Sequence, residues 1–410
     1  MKIVRINAVY GIRSTGGFVK EIHEWALNEG HQSYVFAAEV PKQFSNVENV
    51  FRIGTTLDHK KHALLSRVTG LQAYFSDGAT NELIKKIDEI SPDVVHLHNL
   101  HSNYINLNFL LEYLAKKDVA TVLTLHDCWF YTGKCTHYTS AGCENWKLSC
   151  GGCPRLKVDN VSWFFDNTER MLSDKKKLFG AIPRLGVIGV SDWIANEAKK
   201  SILGSARVIR RIYNWVDDEL IAEDGEAVRK DLGLNKSSKT VLFVASSWGE
   251  SKGSEDLIWL IPKLEKHGFN VIVVGNADQE EIRRGNHIWI KETHDKRYLA
   301  SLYRLSDVFV NLSREETFGR VSAEAGLNNC RVISYYGTAN DEIVKEFGGV
   351  LCDDRDEIIA AALSILEDLV EDNARRKTVR RDDQFQKEKC IAEYMSVYNQ
   401  LMLKTPAPLR

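Results

Sequence analysis

Two glutamates eight positions apart, Glu316 and Glu324, stand in the segment NLSREETFGRVSAEA, residues 311–325. The segment predicts a strand end, a loop that carries Glu316 and Gly319, and a helix that carries Glu324. The free N–H groups and positive dipole end of such a helix form an anion site, and Gly319 would let the backbone approach a ligand closely. If most of the separation is helical, the carboxylates lie about 12 Å apart along the axis.

Carboxylate oxygens accept hydrogen bonds from adjacent sugar hydroxyls. The glutamate pair therefore suits the two ends of one extended ligand with a phosphate at its centre. The alternative is a solvated helix face with an N-terminal carboxylate that the helix dipole favours.

A lysine and a glycine pair add weaker signals at other predicted strand ends. Lys252, in SSWGESKGSEDL, precedes a helix that Ser254 could cap, so its ammonium could reach a phosphate. Gly16 and Gly17 follow the first predicted strand in a turn that would expose backbone N–H groups. Taken singly, these residues fit a surface lysine and an ordinary turn; together they favour a binding site.

These residues depend on strands and helices that alternate in two cycles along the chain. Runs rich in Val, Ile and Leu, such as DVVHLH, TVLFVAS and NVIVVG, predict parallel sheets that are covered on both faces. The alternation pauses in a polar, acidic stretch near residue 213. We therefore predict an α/β protein of two doubly wound, Rossmann-like domains, residues 1–212 and 213–388, that face each other across a cleft. Ligands of such sheets bind at the carboxyl ends of the strands.

Charge and hydrophobicity describe an ordinary globular protein. The chain has 54 basic and 56 acidic residues among 410, and 44% of its residues are hydrophobic. This balance gives no bulk charge for nucleic-acid binding. The start, MKIVRINAVYG, lacks the features of a signal peptide, and no stretch approaches the ~18 apolar residues of a spanning helix. These patterns predict a cytoplasmic protein.

One segment departs from this balance. Residues 170–211 contain ten Lys or Arg against three Asp or Glu. The excess predicts either a surface that faces anionic lipid or a solvated helix face.

Five of the eight cysteines fall within residues 128–153. Stable disulfides are not expected in a reducing compartment, and the CGGC run has the two-residue spacing of a metal knuckle. We predict structural zinc, with reduced, unliganded thiols as the alternative. The predicted ligands are Cys135, Cys143, Cys150 and Cys153. Cys128 is expected to be a small packed residue.

Three histidines raise a second metal question. His96 and His98 alternate on a predicted strand and share a face, with His101 beyond them. They could form a metal trio, but hydrogen-bonded histidines at a strand end are favoured, with His98 at the edge of the cleft.

The chain resembles the retaining glycosyltransferases of family 4, which have the two-domain GT-B fold. The resemblance covers nearly the whole chain. It includes the glycine pair, PDVVHLHN, TLHD, SKG, YRLSDVFVNLS, EETFGRVSAEA and GTANDEIV. It also includes a final helix, CIAEYMSVYNQLM, within residues 389–410, which in the family crosses back onto the first domain. A cysteine-rich insertion similar to residues 128–154 occurs in relatives that build bacterial surface polysaccharides, and it would stiffen or border the acceptor side.

The resemblance implies roles for individual residues. Glu316 would bind hydroxyls of the transferred sugar, Glu324 the ribose, and Lys252 the pyrophosphate, while His126 would lie near the sugar and the acceptor. The implied catalytic residues are thus Glu316, His126 and Lys252. Besides Lys252 and Glu324, the implied donor-binding residues are Gly16, Gly17, Phe318, Gly319 and Arg320.

The resemblance also implies the substrates. The donor would be a UDP- or GDP-sugar, and a hexose would pass with retained configuration, without a catalytic divalent ion, to a glycan or lipid-linked oligosaccharide. Capsule, exopolysaccharide or O-antigen synthesis would be the setting, at the inner face of the cell membrane.

Two positions depart from the family pattern. Ser247, followed by Trp248, stands where the family commonly has an arginine five residues before the lysine, so the pyrophosphate would depend more on Lys252, backbone amides or Arg320. The usual glycine pair before EIV reads GTAND, which changes the backbone contacts at Thr338 and Ala339.

Two other functions stay open, a GT-B sugar-nucleotide epimerase and a non-catalytic module that binds a sugar nucleotide or zinc. A nicotinamide dehydrogenase is disfavoured, because neither domain has a convincing G-x-G-x-x-G after its first strand.

Overall fold

The computed structural model describes residues 1–235, 238–369 and 382–403. The chain divides into two compact units, Met1–Ile212 together with the segment that begins at Ile391, and Tyr213–Cys390. Both units have the predicted α/β architecture. Residues 404–410 of the predicted C-terminal segment lie outside the described residues.

The first unit contains a parallel sheet in the order β3-β2-β1-β4-β5-β6-β7. Its strands are β1 (Lys2–Val9), β2 (Gln32–Glu39), β3 (Val50–Arg52), β4 (Val94–Leu97), β5 (Ala120–Leu125), β6 (Leu185–Gly189) and β7 (Val208–Arg211). The helices are α1 (Arg13–Asn28), α2 (Thr56–Thr69), α3 (Asp77–Ile90), α4 (Leu107–Lys117), α5 (Thr168–Gly180) and α6 (Asp192–Lys199). Every residue of β4, β5 and β6 is buried, as expected for strands covered on both faces.

The second unit contains a parallel sheet in the order β10-β9-β8-β11-β12-β13. Its strands are β8 (Thr240–Trp248), β9 (Asn270–Ala277), β10 (Ile288–Ile290), β11 (Val308–Asn311), β12 (Arg331–Tyr335) and β13 (Val350–Cys352). The helices are α7 (Glu226–Asp231), α8 (Ser254–Lys266), α9 (Glu280–Arg283), α10 (Lys296–Leu305), α11 (Arg320–Leu327), α12 (Asn340–Glu346) and α13 (Arg355–Leu369). A last helix, α14 (Lys387–Met402), begins in this unit and continues in the first.

Each sheet has one point where the strand order reverses. In the first unit it lies between β1 and β4, and in the second between β8 and β11. Because connections leave toward opposite sides of the sheet there, the carboxyl ends of the two strands leave room for a ligand. Candidate site residues are therefore expected at the carboxyl ends of β1 and β4 and of β8 and β11.

Candidate functional site

The reversal point of the second sheet brings two predicted residues together. Lys252 follows β8, Glu316 follows β11, and Lys252 Nζ donates to Glu316 Oε1 at 2.6 Å. The Lys252 side chain is 37% exposed and that of Glu316 17% exposed, so the pair is reachable from solvent.

A glycine allows the two loops to approach each other. Gly253, between Lys252 and α8, has φ +73°, a conformation that side chains disfavour. A Cβ atom there would lie 2.7 Å from Cβ of Leu312, in the loop that follows β11. The glycine of the SKG motif therefore keeps Lys252 next to the loop of Glu316.

The loop of Glu316 is fixed by the segment that follows β12. The Glu316 backbone N–H donates to Thr338 Oγ1 at 3.0 Å, and the Ala339 N–H donates to the Glu316 carbonyl oxygen at 3.1 Å. The GTAND sequence, which departs from the family pattern, thus uses a threonine side chain to hold this loop. Sequence reasoning missed the role of Thr338.

The second glutamate is buried in α11. Glu324 is 4% exposed, and its Oε1 accepts from Arg320 Nε at 3.0 Å while Oε2 accepts from Tyr303 Oη at 3.0 Å. Burial raises the pKa of Glu324 above its ordinary value, against the opposing effect of Arg320 and of both hydrogen bonds. Tyr303 was not predicted, although it lies in the YRLSDVFVNLS motif; a buried tyrosine usually finds a partner for its hydroxyl.

The premise of a 12 Å separation between the glutamates does not hold. Helix α11 begins at Arg320, so only the last four of the eight steps from Glu316 to Glu324 are helical. Those four steps rise about 6 Å. Gly319 precedes the helix with φ +80°, which explains the glycine by its backbone conformation.

The side chain of Phe318 packs in the interior of the second unit. It is 2% exposed and lies against the rings of Tyr213 and Phe385, with centroids 5.7 and 6.1 Å away. A ligand beside this loop could therefore meet the backbone of residue 318, but not the ring.

The first unit has a different arrangement at its reversal point. His98 follows β4 and His126 follows β5, and His98 Nδ1 lies 3.1 Å from His126 Nε2. The ring of Phe18, from α1, packs against both, with centroids 5.8 and 5.5 Å away. Burial lowers the pKa of His126 to about 4 and that of His98 well below its usual range, so both rings are neutral near pH 7.

The other predicted histidines are hydrogen-bonded within the same unit. His96 contacts Tyr398 Oη and Thr124 Oγ1, each at 2.7 Å, through its two ring nitrogens. His101 Nε2 lies 2.9 Å from Asp127 Oδ2. These partners account for both residues without a metal ion.

The predicted glycine turn needs a correction. Gly16 and Gly17 lie inside α1, which begins at Arg13. A Cβ atom at Gly16 would lie 2.9 Å from Val9 Cγ2, whereas one at Gly17 would meet nothing within 4 Å. Gly16 therefore serves the packing of α1 on β1, and the turn itself contains Gly11, with φ +71°.

The predicted zinc ligands come together, but not in the arrangement of a metal site. Cys135, Cys143, Cys150 and Cys153 line one cavity of the first unit. Within the described part of the chain, however, no group of three or more His, Cys, Asp or Glu side chains is arranged to hold a metal ion. The side-chain positions by themselves give zinc no support.

Two parallel, doubly wound units in one chain are the architecture of the GT-B fold, and comparisons with known proteins agree. Residues 16–220 match the family described as Glycosyltransferase Family 4, and residues 224–382 match Glycosyl transferases group 1. The chain therefore belongs to the glycosyltransferases of these families.

Individual relatives support the assignment. The chain is 28% identical over 369 residues to a protein of Escherichia coli (strain K12) named as the colanic acid biosynthesis glycosyl transferase WcaC, covering 85% of this chain and 86% of that one. The crystal structure of WaaG, a glycosyltransferase involved in lipopolysaccharide biosynthesis, has a TM-score of 0.65 at 14% identity over 96% of this chain and 98% of WaaG. Anabaena Alr3699/HepE, solved with UDP and glucose, has a TM-score of 0.59 at 16% identity over 98% of both chains.

Among the described residues, no helix is both long enough and apolar enough to cross a membrane.

Proposed function

We propose that the protein is a retaining glycosyltransferase that moves a hexose from a UDP- or GDP-sugar to a glycan or lipid-linked oligosaccharide. The observation that carries this proposal is the Lys252–Glu316 pair, 2.6 Å apart, at the reversal point of the second sheet. A nucleotide sugar presents a pyrophosphate next to sugar hydroxyls. An ammonium beside a carboxylate is suited to bind both parts at once.

The charge of the departing nucleotide is the main demand of the reaction. As the bond between the sugar and the pyrophosphate breaks, negative charge grows on the phosphate oxygen. Lys252, the Arg320 guanidinium and the first N–H groups of α11 would stabilise that charge. Since Ser247 cannot supply the family's arginine, Lys252 would carry a larger share of this stabilisation.

Retention follows if the acceptor attacks the face that the nucleotide leaves. The acceptor oxygen then forms the new bond to the sugar carbon, and its proton passes to the departing phosphate oxygen. Glu316 would orient the sugar through its hydroxyls. Its hydrogen bond from Lys252 and the attachment of its loop to Thr338 support a positioning role.

Glu324 would bind the ribose. Its carboxylate has about four lone-pair directions, and the hydrogen bonds from Arg320 and Tyr303 occupy two of them. The remaining acceptor capacity suits a pair of adjacent ribose hydroxyls.

The acceptor is proposed to belong to bacterial surface polysaccharide synthesis, because the relative WcaC is named for colanic acid biosynthesis. A location at the inner face of the cell membrane is part of this proposal. Trp163, Phe164 and Phe165 are 44, 68 and 58% exposed in the first unit, and exposed aromatic side chains favour a membrane interface.

The basic segment 170–211 gives that location less support than its charge count suggests, because some of its basic side chains are buried or already paired. Lys175 is buried, Arg184 Nε lies 2.9 Å from Asp118 Oδ1, and Lys200 Nζ lies 2.9 Å from Glu197 Oε1. Co-sedimentation with anionic vesicles that falls after Trp163→Ser and Phe164→Ser would support membrane contact. Binding that does not depend on these aromatic residues, or no binding, would contradict it.

A thermal-shift panel of UDP-, GDP- and ADP-sugars tests the donor. A true donor at 100 times its dissociation constant should stabilise the protein by about 2.7 kcal/mol. The selected donor is then incubated with candidate acceptors, and the anomeric configuration of the product is read by NMR. Inversion at the anomeric carbon would refute the retaining assignment.

The same incubation separates the alternatives. An epimerase would release nucleotide without an acceptor-dependent product, and a binding module would show the thermal shift without turnover.

A further inference from the structure

The cysteine-rich segment of the first unit borders a small, partly open cavity that the proposed sugar transfer does not use. Its volume is about 20 Å³, and four cysteines line it together with Lys134 and Trp146. A volume of this size accommodates one water-sized guest. The Cys135 and Cys153 thiols are hydrogen-bonded to each other.

Two ammonium groups are buried in this region. Lys134 is 1% exposed, and its Nζ donates to the carbonyl oxygens of Leu156 at 2.8 Å and Asn160 at 3.4 Å. Lys175 is 3% exposed, and its Nζ donates to the carbonyl oxygens of residues 129, 132 and 133 at 2.6, 3.0 and 3.4 Å. Carbonyl oxygens satisfy the N–H groups, and Lys175 Nζ also lies 3.6 Å from the centroid of the Trp129 ring, but buried charges are normally paired with an opposite charge.

The nearby carboxylates already have other partners. Asp159 accepts from Arg155 Nε at 2.9 Å, and Asp127 lies 2.9 Å from His101 Nε2. Asp166 accepts from the backbone N–H groups of residues 153 and 168. Neither Lys134 nor Lys175 forms an ion pair with a carboxylate of the described residues, so both side chains could compensate an anion in the cavity.

A buried hydrogen-bond donor without a partner also favours an anion in the cavity. Trp146 lines the cavity and is 2% exposed, and its indole Nε1 is buried without a hydrogen-bond partner among the described residues. A buried N–H group without an acceptor costs free energy that an anionic acceptor would recover. Thiolate sulfur is the anion that this cavity can supply.

We propose that this cavity binds one zinc-type divalent ion through the thiolates of Cys135, Cys143, Cys150 and Cys153. Four thiolates and one divalent ion carry a net charge of −2, which the ammonium groups of Lys134 and Lys175 compensate. Binding releases the four thiol protons to solvent and replaces the hydrogen bond between Cys135 and Cys153. Because the side chains do not yet form a coordination sphere, the thiols have to rotate toward the ion when it binds.

The metal centre would also stabilise a segment near the histidine pair. Lys175 donates to the carbonyl oxygens of Trp129, Thr132 and Gly133, a few residues after His126, and Thr132 also lines the cavity. A negatively charged centre would attract the Lys175 side chain, and so hold this segment in place. This inference does not depend on the identity of the donor or the acceptor.

The test is the metal content of the full-length protein purified without added metal. We expect about one equivalent of zinc per chain, at least tenfold less in Cys150→Ser and Cys153→Ser, and no change in Cys330→Ser, a buried cysteine of the second unit. Lys175→Met should lose its metal to a chelator at least tenfold faster than the wild type.

A second measurement keeps the test decisive if a cysteine variant does not fold. Wild-type protein stripped with a chelator should bind Zn²⁺ again, with protons released and the native thiols protected from a thiol reagent. Native protein without metal, in which all four thiols react, would overturn the proposal, and so would a disulfide between Cys135 and Cys153 found by mass spectrometry.

Discussion

The carboxyl ends of the two sheets carry different chemistry. In the second unit opposite charges meet, Lys252 with Glu316 and Arg320 with Glu324. In the first unit His98 and His126 lie against Phe18, and burial lowers the pKa of both rings so that they are neutral near pH 7.

The difference separates two tasks of sugar transfer. Stabilising a departing diphosphate requires fixed positive charge, whereas orienting hydroxyl groups requires only neutral donors and acceptors. We therefore propose that the second unit binds the diphosphate, with the sugar and ribose hydroxyls at Glu316 and Glu324, and that the first unit makes only neutral contacts near the acceptor. Weaker binding of the nucleotide or donor is accordingly expected only from substitutions in the second unit.

The largest effect is expected for Glu316→Ala. The sugar becomes cation-like in the transition state, so contacts to it strengthen there and their loss lowers kcat. We expect kcat to fall about a hundredfold, since a hydrogen bond to a charged group contributes ~1.5–3 kcal/mol. Calorimetric affinity for the free nucleoside diphosphate should stay nearly unchanged. Glu255→Ala, an exposed acidic residue at the start of α8, is the matched control, and a wild-type kcat in Glu316→Ala would show that the site assignment is wrong.

Glu324→Ala should affect binding more than turnover. Contacts to the ribose change little as the sugar leaves, so their loss raises the donor KM, by about tenfold or more, with a modest change in kcat. Glu324→Gln, which keeps the shape of the buried side chain, separates the effect of charge from that of a cavity. A fall in kcat as large as that of Glu316→Ala would remove the distinction between the two glutamates.

His126→Gln should lower kcat by about tenfold, which corresponds to the loss of about one hydrogen bond. Nucleotide binding should not weaken. Because the pKa of His126 is lowered to about 4, the ring stays neutral from pH 5 upward, and wild-type kcat should show no inflection from it between pH 5 and 8. Loss of activity on protonation near pH 6.5 would contradict the assignment of a neutral histidine.

The smallest effect is expected for Tyr303→Phe. The Tyr303 hydrogen bond lowers the pKa of Glu324, against burial, which raises it. Without the hydroxyl the carboxyl group is protonated at a higher pH, so donor binding should weaken earlier as the pH falls. We expect about a threefold loss of affinity at pH 6, within the range of one neutral hydrogen bond. Tyr298→Phe on the same helix is the control, and an unchanged pH profile would mean that Glu324 does not act through its charge.

The fold and the two members of the charged pair, though not their pairing, were predictable because each has a local sequence signal. Runs of Val, Ile and Leu between amphipathic segments predict parallel strands, and Lys252 and Glu316 follow two strands that the structure places side by side at the reversal point. Strand order itself has no local signal.

The other corrections have two physical reasons, helix boundaries that the residue pattern does not fix and contacts between distant segments. Helix α1 begins at Arg13 and so includes Gly16, which packs on Val9, and the helix between the glutamates begins only at Arg320. Thr338 holds the Glu316 loop, and Lys175, counted with the basic surface charge, is buried under carbonyl oxygens. In both of these contacts, the residues that meet are far apart in the sequence.

The central claim, that the second unit holds the diphosphate through Lys252, is tested most directly by calorimetric titration of UDP and GDP into Lys252→Met. Lys266→Met, an exposed lysine at the end of α8, is the matched control. We predict at least tenfold weaker binding of the preferred nucleotide to Lys252→Met, as expected for the loss of a charge-assisted hydrogen bond, and wild-type affinity for Lys266→Met. Equal affinity of Lys252→Met and wild-type protein for both nucleotides would contradict the account.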